Sequence, residues 1–137
     1  MPLPHINYWA VLVSGVVIFI LGGLWYSKAL FAKPWIRLMG KSEEEMKAAG
    51  PNPLLFLMAF ICGLLIAASL AVVLKHFPPI TPLRGAEVGV LCWVGFAAAT
   101  SLATALFSSQ PKALWLINSG YNLVSFVIAG IILALWR

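Results

Sequence analysis

The chain has 137 residues, of which 62% are hydrophobic and 9% are charged, and its formal net charge is +5 at pH 7. A soluble domain is about half apolar and about a quarter charged. This composition, with a mean hydropathy of +0.98, excludes a water-soluble domain and indicates a protein embedded in lipid.

Four apolar runs follow one another along the chain, at about 6–26, 53–74, 85–107 and 113–136. Each has the ~20 residues that a helix needs to cross a ~30 Å hydrocarbon layer. Strands of a membrane barrel would alternate in hydrophobicity, and no alternation is visible. The sequence therefore predicts an all-α, integral membrane four-helix bundle that forms a single domain over 1–137. We expect the first run to be a retained helix, because it is longer than the apolar part of a secretory signal.

The connection at 27–52 contains most of the charged residues and predicts a short interfacial helix. Phe31 and Trp35 are four residues apart, and Lys33 and Arg37 lie on another side of the same helix. A helix with an aromatic face and a basic face is typical of the lipid headgroup layer.

The second part of this connection predicts another short helix. Ser42 and Glu45 have the spacing of a capping box, and Gly50 is a typical helix end. A nucleic-acid or protein partner site is an alternative interpretation of the basic residues, but they are few and Glu43 and Glu44 are interspersed among them. We interpret the connection as an anchor to membrane lipids and expect no nucleic acid partner.

Lys and Arg are distributed unevenly between the two sides of a four-span chain. One side holds Lys28, Lys33, Arg37, Lys41, Lys47 and Lys112, and the other holds Lys75, Arg84 and Arg137. Cytoplasmic loops carry an excess of these residues. The sequence therefore predicts a multi-pass protein of the cytoplasmic membrane, with the 27–52 loop in the cytoplasm and both termini outside.

Aromatic residues lie near the ends of the apolar runs, and Trp25 and Tyr26 form a pair at the end of the first. Amphipathic rings prefer the boundary between membrane and water. We interpret Trp25, Tyr26 and Trp35 as part of such an aromatic belt, with a ligand-stacking role for Trp25 and Tyr26 as the alternative.

Polar residues share one face of the last run at helical spacing, namely Asn118, Tyr121, Asn122 and Ser125. Thr100 and Thr104 form a smaller polar face on the third run, on one stripe with Trp93 and Ala97. A polar group that faces lipid without a partner is costly, so we expect these groups to point into the bundle or into an oligomer interface. They either line a path for a small substrate or ion or form hydrogen bonds between helices, and we favour the structural interpretation.

Glu87 is the one acidic residue close to an apolar run, about one turn into the third. An acid in the first turn is favoured by the helix dipole, and Arg84 is a ready partner. Proton coupling within the membrane is the alternative interpretation.

Small residues predict a tight bundle. Gly85 and Gly89 are four residues apart, and Gly15 and Gly22 are one heptad apart. Such residues let helices approach closely in a membrane. A bundle of four helices has little room for a cavity, so we expect a homo-oligomer, with a two-fold dimer favoured because that symmetry is commonest.

The sequence contains no motif that supports an enzyme. No H-E-x-x-H, G-x-S-x-G or closely spaced Cys pair is present, and His5 and His76 lie in different boundary segments. We therefore expect no catalytic residue, no metal site and no cofactor.

Two segments resemble a known family. They are GGLWYS at 22–27, followed by Phe31 and Trp35, and LINSGYN at 116–122. They resemble the domain-of-unknown-function family 1761, which groups small four-span bacterial membrane proteins, and the resemblance covers almost the whole chain. It implies a four-span fold in a bacterial inner membrane, and it supplies no activity and no active-site residue to carry over.

Three function classes follow from these observations. A small oligomeric transporter or channel for a small solute would use the polar faces and Glu87. An accessory or scaffold subunit of a larger membrane complex is the alternative, and an intramembrane enzyme ranks last. A transporter predicts polar faces that converge on a wet cavity, whereas a scaffold predicts a dry interior.

Overall fold

A computed structural model of the chain describes residues 4–50 and 52–136, so Arg137, one of the cations counted above, lies outside the described residues. Every regular element in that part of the chain is helical. In chain order the elements are α1 (Tyr8–Trp25), α2 (Ala32–Leu38), α3 (Glu43–Ala49), α4 (Pro53–Leu74), α5 (Pro82–Cys92), a π-helix (Trp93–Ala98), α6 (Ala99–Phe107) and α7 (Lys112–Leu135).

Four helical segments are long and apolar enough to cross a membrane: α1, α4, the continuous Pro82–Phe107 segment and α7. We call them the first to fourth spans. This confirms the all-α prediction. The third span begins three residues earlier than the sequence pattern indicates, since the Thr81 hydroxyl accepts a hydrogen bond from the Arg84 N–H at 3.1 Å and Pro82 fits the first helical turn.

The fourth span lies at the centre of the bundle, because it contacts each of the other three. The first and second spans also pack against each other, whereas the third packs mainly against the fourth. Only 17% of the residues in the apolar window of the third span are buried, compared with 28–33% in the other spans. The third span therefore has its outer side uncovered.

Glycines bring the third and fourth spans into backbone contact. A Cβ atom added at Gly85 would overlap the carbonyl group of Gly130, and one added at Gly89 would overlap the carbonyl oxygen of Phe126. The Gly85 and Gly89 pair therefore belongs to the interior of one chain. Gly15 likewise packs against Leu64 of the second span.

Both described ends of the chain meet at one end of the bundle. The Asn7 side-chain oxygen caps α1 by accepting from the N–H groups of Trp9 at 3.0 Å and Ala10 at 3.3 Å. Its amide nitrogen donates to the Trp136 carbonyl oxygen at 3.4 Å. At the opposite end, α2 packs against α7 and α3 follows it, so the two short helices lie where the sequence predicts them.

Candidate functional site

An aromatic and amide cluster joins the end of α1 to the first half of α7. The Tyr26 hydroxyl donates to the Asn118 side-chain oxygen at 2.7 Å. The adjacent Trp25 indole N–H donates to the Ile117 carbonyl oxygen at 2.9 Å. Both segments that suggested the family in the sequence therefore face each other in the structure, and their polar atoms are paired.

Tyr121 adds a third link between the same two helices. Its hydroxyl donates to the Ile18 carbonyl oxygen at 3.0 Å. Gly22 makes room for this ring, because a Cβ atom there would lie 3.0 Å from the Tyr121 hydroxyl oxygen. Gly120 does the same for Trp25, whose ring would lie 3.1 Å from an added Cβ atom. Gly22 and Gly120 are thus explained by the space that the rings need, whereas Gly23 has no neighbour within 4 Å of an added Cβ atom.

Rings from α2 and from the turn before it cover the side of this cluster that faces away from the middle of the bundle. The Tyr26 and Trp35 ring centroids are 4.8 Å apart, and those of Trp25 and Phe31 are 4.9 Å apart. Tyr26 also contacts Tyr121 edge to face, with centroids 5.7 Å apart. Lys33 and Arg37 lie on the exposed side of α2, away from these rings.

Asn122 differs from Asn118, because its side chain makes no hydrogen bond to any described residue. It is half-buried in the middle of α7. Three residues earlier, the Ser119 carbonyl oxygen accepts from the Trp93 indole N–H at 3.0 Å, and four residues later Phe126 contacts Gly89. By this spacing Asn122 lies on the side of α7 that faces the third span.

Two buried hydroxyl groups lie between α1 and α7, closer to the middle of the bundle than the aromatic and amide cluster. The Ser14 and Ser125 side chains are 0% and 1% exposed, and neither hydroxyl has a hydrogen-bond partner among the described residues. Each lies one helical turn beyond the contact between Ile18 and Tyr121, so the two serines share the interface of α1 with α7. Among the described residues, these two buried hydroxyl groups therefore lack a hydrogen bond of good geometry.

Thr100 and Thr104 do not join this face. Both are exposed on the outer side of the third span, and their hydroxyls donate to the carbonyl oxygens of Phe96 at 2.8 Å and Thr100 at 3.1 Å. Of the two expected positions, the bundle interior and an oligomer interface, the exposure of both residues excludes the interior of their own chain, and bonds within the helix satisfy their hydroxyl groups. Their position at an oligomer interface stays a prediction.

Ser101 is the polar residue of the third span that the sequence analysis missed. Its hydroxyl oxygen accepts from the Trp115 indole N–H at 3.0 Å and donates to the Ala97 carbonyl oxygen at 2.7 Å. The predicted stripe assumed a regular α-helix from Trp93 to Thr104. The π-helix has more residues per turn, so it rotates the later residues and turns Ser101, instead of Thr100, toward α7.

Glu87 stands apart from the cluster on the outer side of the third span. Its carboxylate lies 3.7 Å from the Arg84 guanidinium nitrogen, and the side chain is 54% exposed. The predicted pairing is therefore present. The first-turn interpretation is wrong, because the helix begins at Pro82 and no acidic residue lies in its first turn.

The pocket at the end of the bundle where the described termini meet offers little space for a ligand. The pocket between Ile6, Leu74 and Leu133 has a volume of about 10 Å³, which is about the smallest space that holds one water molecule. Among the described residues, no group of three or more His, Cys, Asp or Glu side chains is placed to hold a metal ion. The chemistry that this cluster supports is hydrogen bonding between spans.

The model of the family described as Protein of unknown function (DUF1761) matches residues 9–134. The chain belongs to this family. No curated protein and no solved structure matches it. The match includes both segments that meet in the aromatic and amide cluster, so in this DUF1761 chain the residues that carried the resemblance are the ones that join the first and fourth spans.

Proposed function

We propose that this DUF1761 chain forms a two-fold homodimer and that it is an accessory or scaffold subunit of a larger membrane complex. The observation that carries this proposal is that the interior is hydrogen-bonded with little free space, whereas the outer side of the third span is uncovered. Trp25, Tyr26, Trp93 and Tyr121 use their polar atoms for hydrogen bonds between helices, and the pocket between Ile6, Leu74 and Leu133 has a volume of about 10 Å³. The third span, by contrast, has the smallest buried share of the four, 17% of the residues in its apolar window.

The outer side of the third span has the residues that helix pairing requires. Gly95, Ala99 and Ala103 are exposed at four-residue intervals, and no atom lies within 4 Å of a Cβ added at Gly95. Phe96 beside them is 76% exposed. Small residues at this spacing let two membrane helices approach closely, so a second copy of the chain is the proposed occupant of this face.

The mass of the particle in lipid nanodiscs tests this proposal. We expect a dimer for the wild type and a monomer for Gly95→Leu, because a large side chain at that position separates two paired helices. Gly23→Leu is the matched control, since an added Cβ there also meets no atom within 4 Å, and it should remain dimeric. A monomeric wild type, or a Gly95→Leu variant that stays dimeric, would reject pairing through this face.

A location in the bacterial inner membrane, with the α2 and α3 loop in the cytoplasm and both termini outside, is part of the proposal. The family resemblance and the excess of Lys and Arg in that loop support it. The hydrogen bond between Asn7 and Trp136 is consistent with both termini on one side.

A small-solute transporter or channel is the second candidate, and Asn122 is the observation that favours it. A half-buried amide without a described partner, on the side of α7 that faces the third span, is a suitable contact for a solute or ion that passes between these two spans. Proteoliposomes loaded with small ions and neutral solutes test this candidate. If the wild type supports a flux and Asn122→Leu abolishes it while the dimer stays intact, the transporter replaces the scaffold proposal. If the wild type supports no flux, the result favours the scaffold proposal.

A further inference from the structure

A basic depression lies on the surface of α2. Lys33, Arg37 and Lys41 line it together with Pro34 and Ile36, and its volume is about 430 Å³. The three cations are exposed and follow one another at four-residue intervals. None of the five lining residues is acidic, and the nearest acidic residues along the chain, Glu43, Glu44 and Glu45, belong to the next helix, α3.

The turn at the end of α2 builds one side of this depression. Gly40 adopts a left-handed backbone with φ of 76°, which favours glycine. The Gly40 N–H donates to the Arg37 carbonyl oxygen at 3.0 Å, and the Lys41 N–H donates to the Ile36 carbonyl oxygen at 3.2 Å. This pair of bonds is a Schellman motif, and it holds Lys41 against the end of the helix that carries Lys33 and Arg37.

A neighbouring depression adds two more cations. Lys28 and Lys47 line it together with Ala32, Ile36 and Met46, so the two depressions share Ile36. Among the described side chains, the ion pair is that of Arg84 with Glu87. Both residues belong to the third span, in another part of the chain. Clusters of this kind beside a span attract anionic headgroups.

The depression lies at the depth of the aromatic cluster. Trp35 belongs to the same helix as Lys33 and Arg37, and its ring packs on Tyr26, which directly follows the first span. Tryptophan and tyrosine rings prefer the headgroup level. Because α2 is held beside the cluster by Trp35 and the buried Ala32, we expect its cations to lie at the level of lipid phosphates in a membrane.

Helix stability alone does not account for these cations. Arg37 and Lys41 complement the partial negative charge at the end of α2, but Lys33 is the second residue of that helix, where a cation is disfavoured. A ligand that bears negative charge would compensate all three. Guanidinium and ammonium groups both form charge-assisted hydrogen bonds with phosphate oxygens.

We propose that the depression formed by Lys33, Arg37 and Lys41 binds a phosphate group, which an anionic phospholipid headgroup or a free phosphate supplies. The site rests on the membrane location proposed above and is independent of the dimer. A phospholipid bound there would fix α2 against the end of the bundle, and so it would hold the cover of the aromatic and amide cluster in place.

Thermal unfolding of the full chain in mild detergent tests the site. The wild type is mixed with short-chain phosphatidylglycerol, with short-chain phosphatidylcholine or with inorganic phosphate. We expect phosphatidylglycerol to raise Tm by about 5 °C at saturation and phosphatidylcholine to leave Tm unchanged. A rise of the same size with inorganic phosphate would identify free phosphate as the source. A wild type whose Tm responds to neither anion overturns the proposal.

Charge variants localise the effect. Lys33→Gln with Lys41→Gln should abolish the rise in Tm, and Lys75→Gln with Lys112→Gln, which removes the same charge from other exposed positions, should retain it. An equal loss in both double variants would mean that net charge acts without a site, and it would overturn the proposal.

Native mass measurement of the wild type gives a reading that needs no variant. We expect one phosphatidylglycerol per chain to be retained and no phosphatidylcholine. Equal retention of both lipids would overturn the site. The same spectrum reports the oligomer, so a monomer that retains one phosphatidylglycerol would contradict only the dimer.

Discussion

The hydrogen bond from the Tyr26 hydroxyl to the Asn118 side-chain oxygen, 2.7 Å long, joins residues that are 92 positions apart. It connects the end of the first span to the fourth, and the rings of Trp35 and Tyr121 pack on Tyr26 from two sides. Hydrogen bonds between membrane helices contribute roughly 0.6–2 kcal/mol each. The cluster therefore stabilises the bundle at the end where α2 covers it.

A double-mutant cycle measures this bond. We expect Tyr26→Phe and Asn118→Leu each to lower the free energy of unfolding by about 1 kcal/mol, and the double variant to lose less than the sum, because both changes remove the same interaction. Unfolding in detergent, followed by helical circular dichroism, gives the values. Tyr8→Phe is the control, since Tyr8 is 72% exposed and its hydroxyl bonds to no described residue. Additive losses would contradict a direct bond.

Asn122→Leu should behave differently from Asn118→Leu. Because the Asn122 amide lacks a described partner, its replacement removes no hydrogen bond and relieves a partly desolvated polar group. We expect an unfolding midpoint equal to or higher than that of the wild type. A decrease as large as that of Asn118→Leu would reveal a partner outside the described contacts, such as a second copy of the chain.

The contact between Gly85 and Gly130 predicts a strong effect of one added methyl group. In Gly85→Ala the new Cβ would overlap the Gly130 carbonyl, and backbone cannot move aside as a flexible side chain can. We expect a loss of about 1–3 kcal/mol in the free energy of unfolding. Gly23→Ala, at an open position of the first span, should leave that free energy unchanged or slightly higher. Equal losses of unfolding free energy in the two variants would contradict the close packing of the third span against the fourth at Gly85.

Ser125→Ala should stabilise the chain, which is unusual for a core substitution. The hydroxyl is buried without a partner among the described residues, and its removal relieves a desolvation cost of about 1 kcal/mol. Ser101→Ala is the contrast, because its hydroxyl accepts from the Trp115 indole and its loss should destabilise. If Ser125→Ala lowers Tm, an ordered water or other group binds that hydroxyl.

The sequence predicts the four spans well because lipid leaves few solutions. An apolar run of membrane length must be a helix, and the second span, Pro53–Leu74, has the predicted bounds. The third span was predicted to begin at 85, three residues late, because Pro82 was assigned to the connection before it. A capping threonine followed by Pro82 is the signal that gives the observed start.

The candidate site was predictable only in part. Spacing along α7 groups Asn118 with Tyr121, but it cannot supply Tyr26 as a partner, since that pairing depends on how two spans pack. It also cannot separate Asn118 from Asn122, which are four residues apart and face different neighbours. The π-helix is a second reason, because a change in residues per turn moves Ser101 to the face that α-helical spacing assigns to Thr100.

Topology is tested by the reactivity of single cysteines in a chain from which Cys62 and Cys92 have been removed. Ala48→Cys lies on the exposed side of α3, and Lys75→Cys lies at an exposed position between the second and third spans. Because cations accumulate on the cytoplasmic side, we expect an impermeant thiol reagent added to intact cells to label Lys75→Cys and to spare Ala48→Cys. Both cysteines should react after the membrane is permeabilised, which shows that each is accessible. Labelling of Ala48→Cys alone in intact cells would reverse the orientation and would put the basic depression of α2 on the outer leaflet.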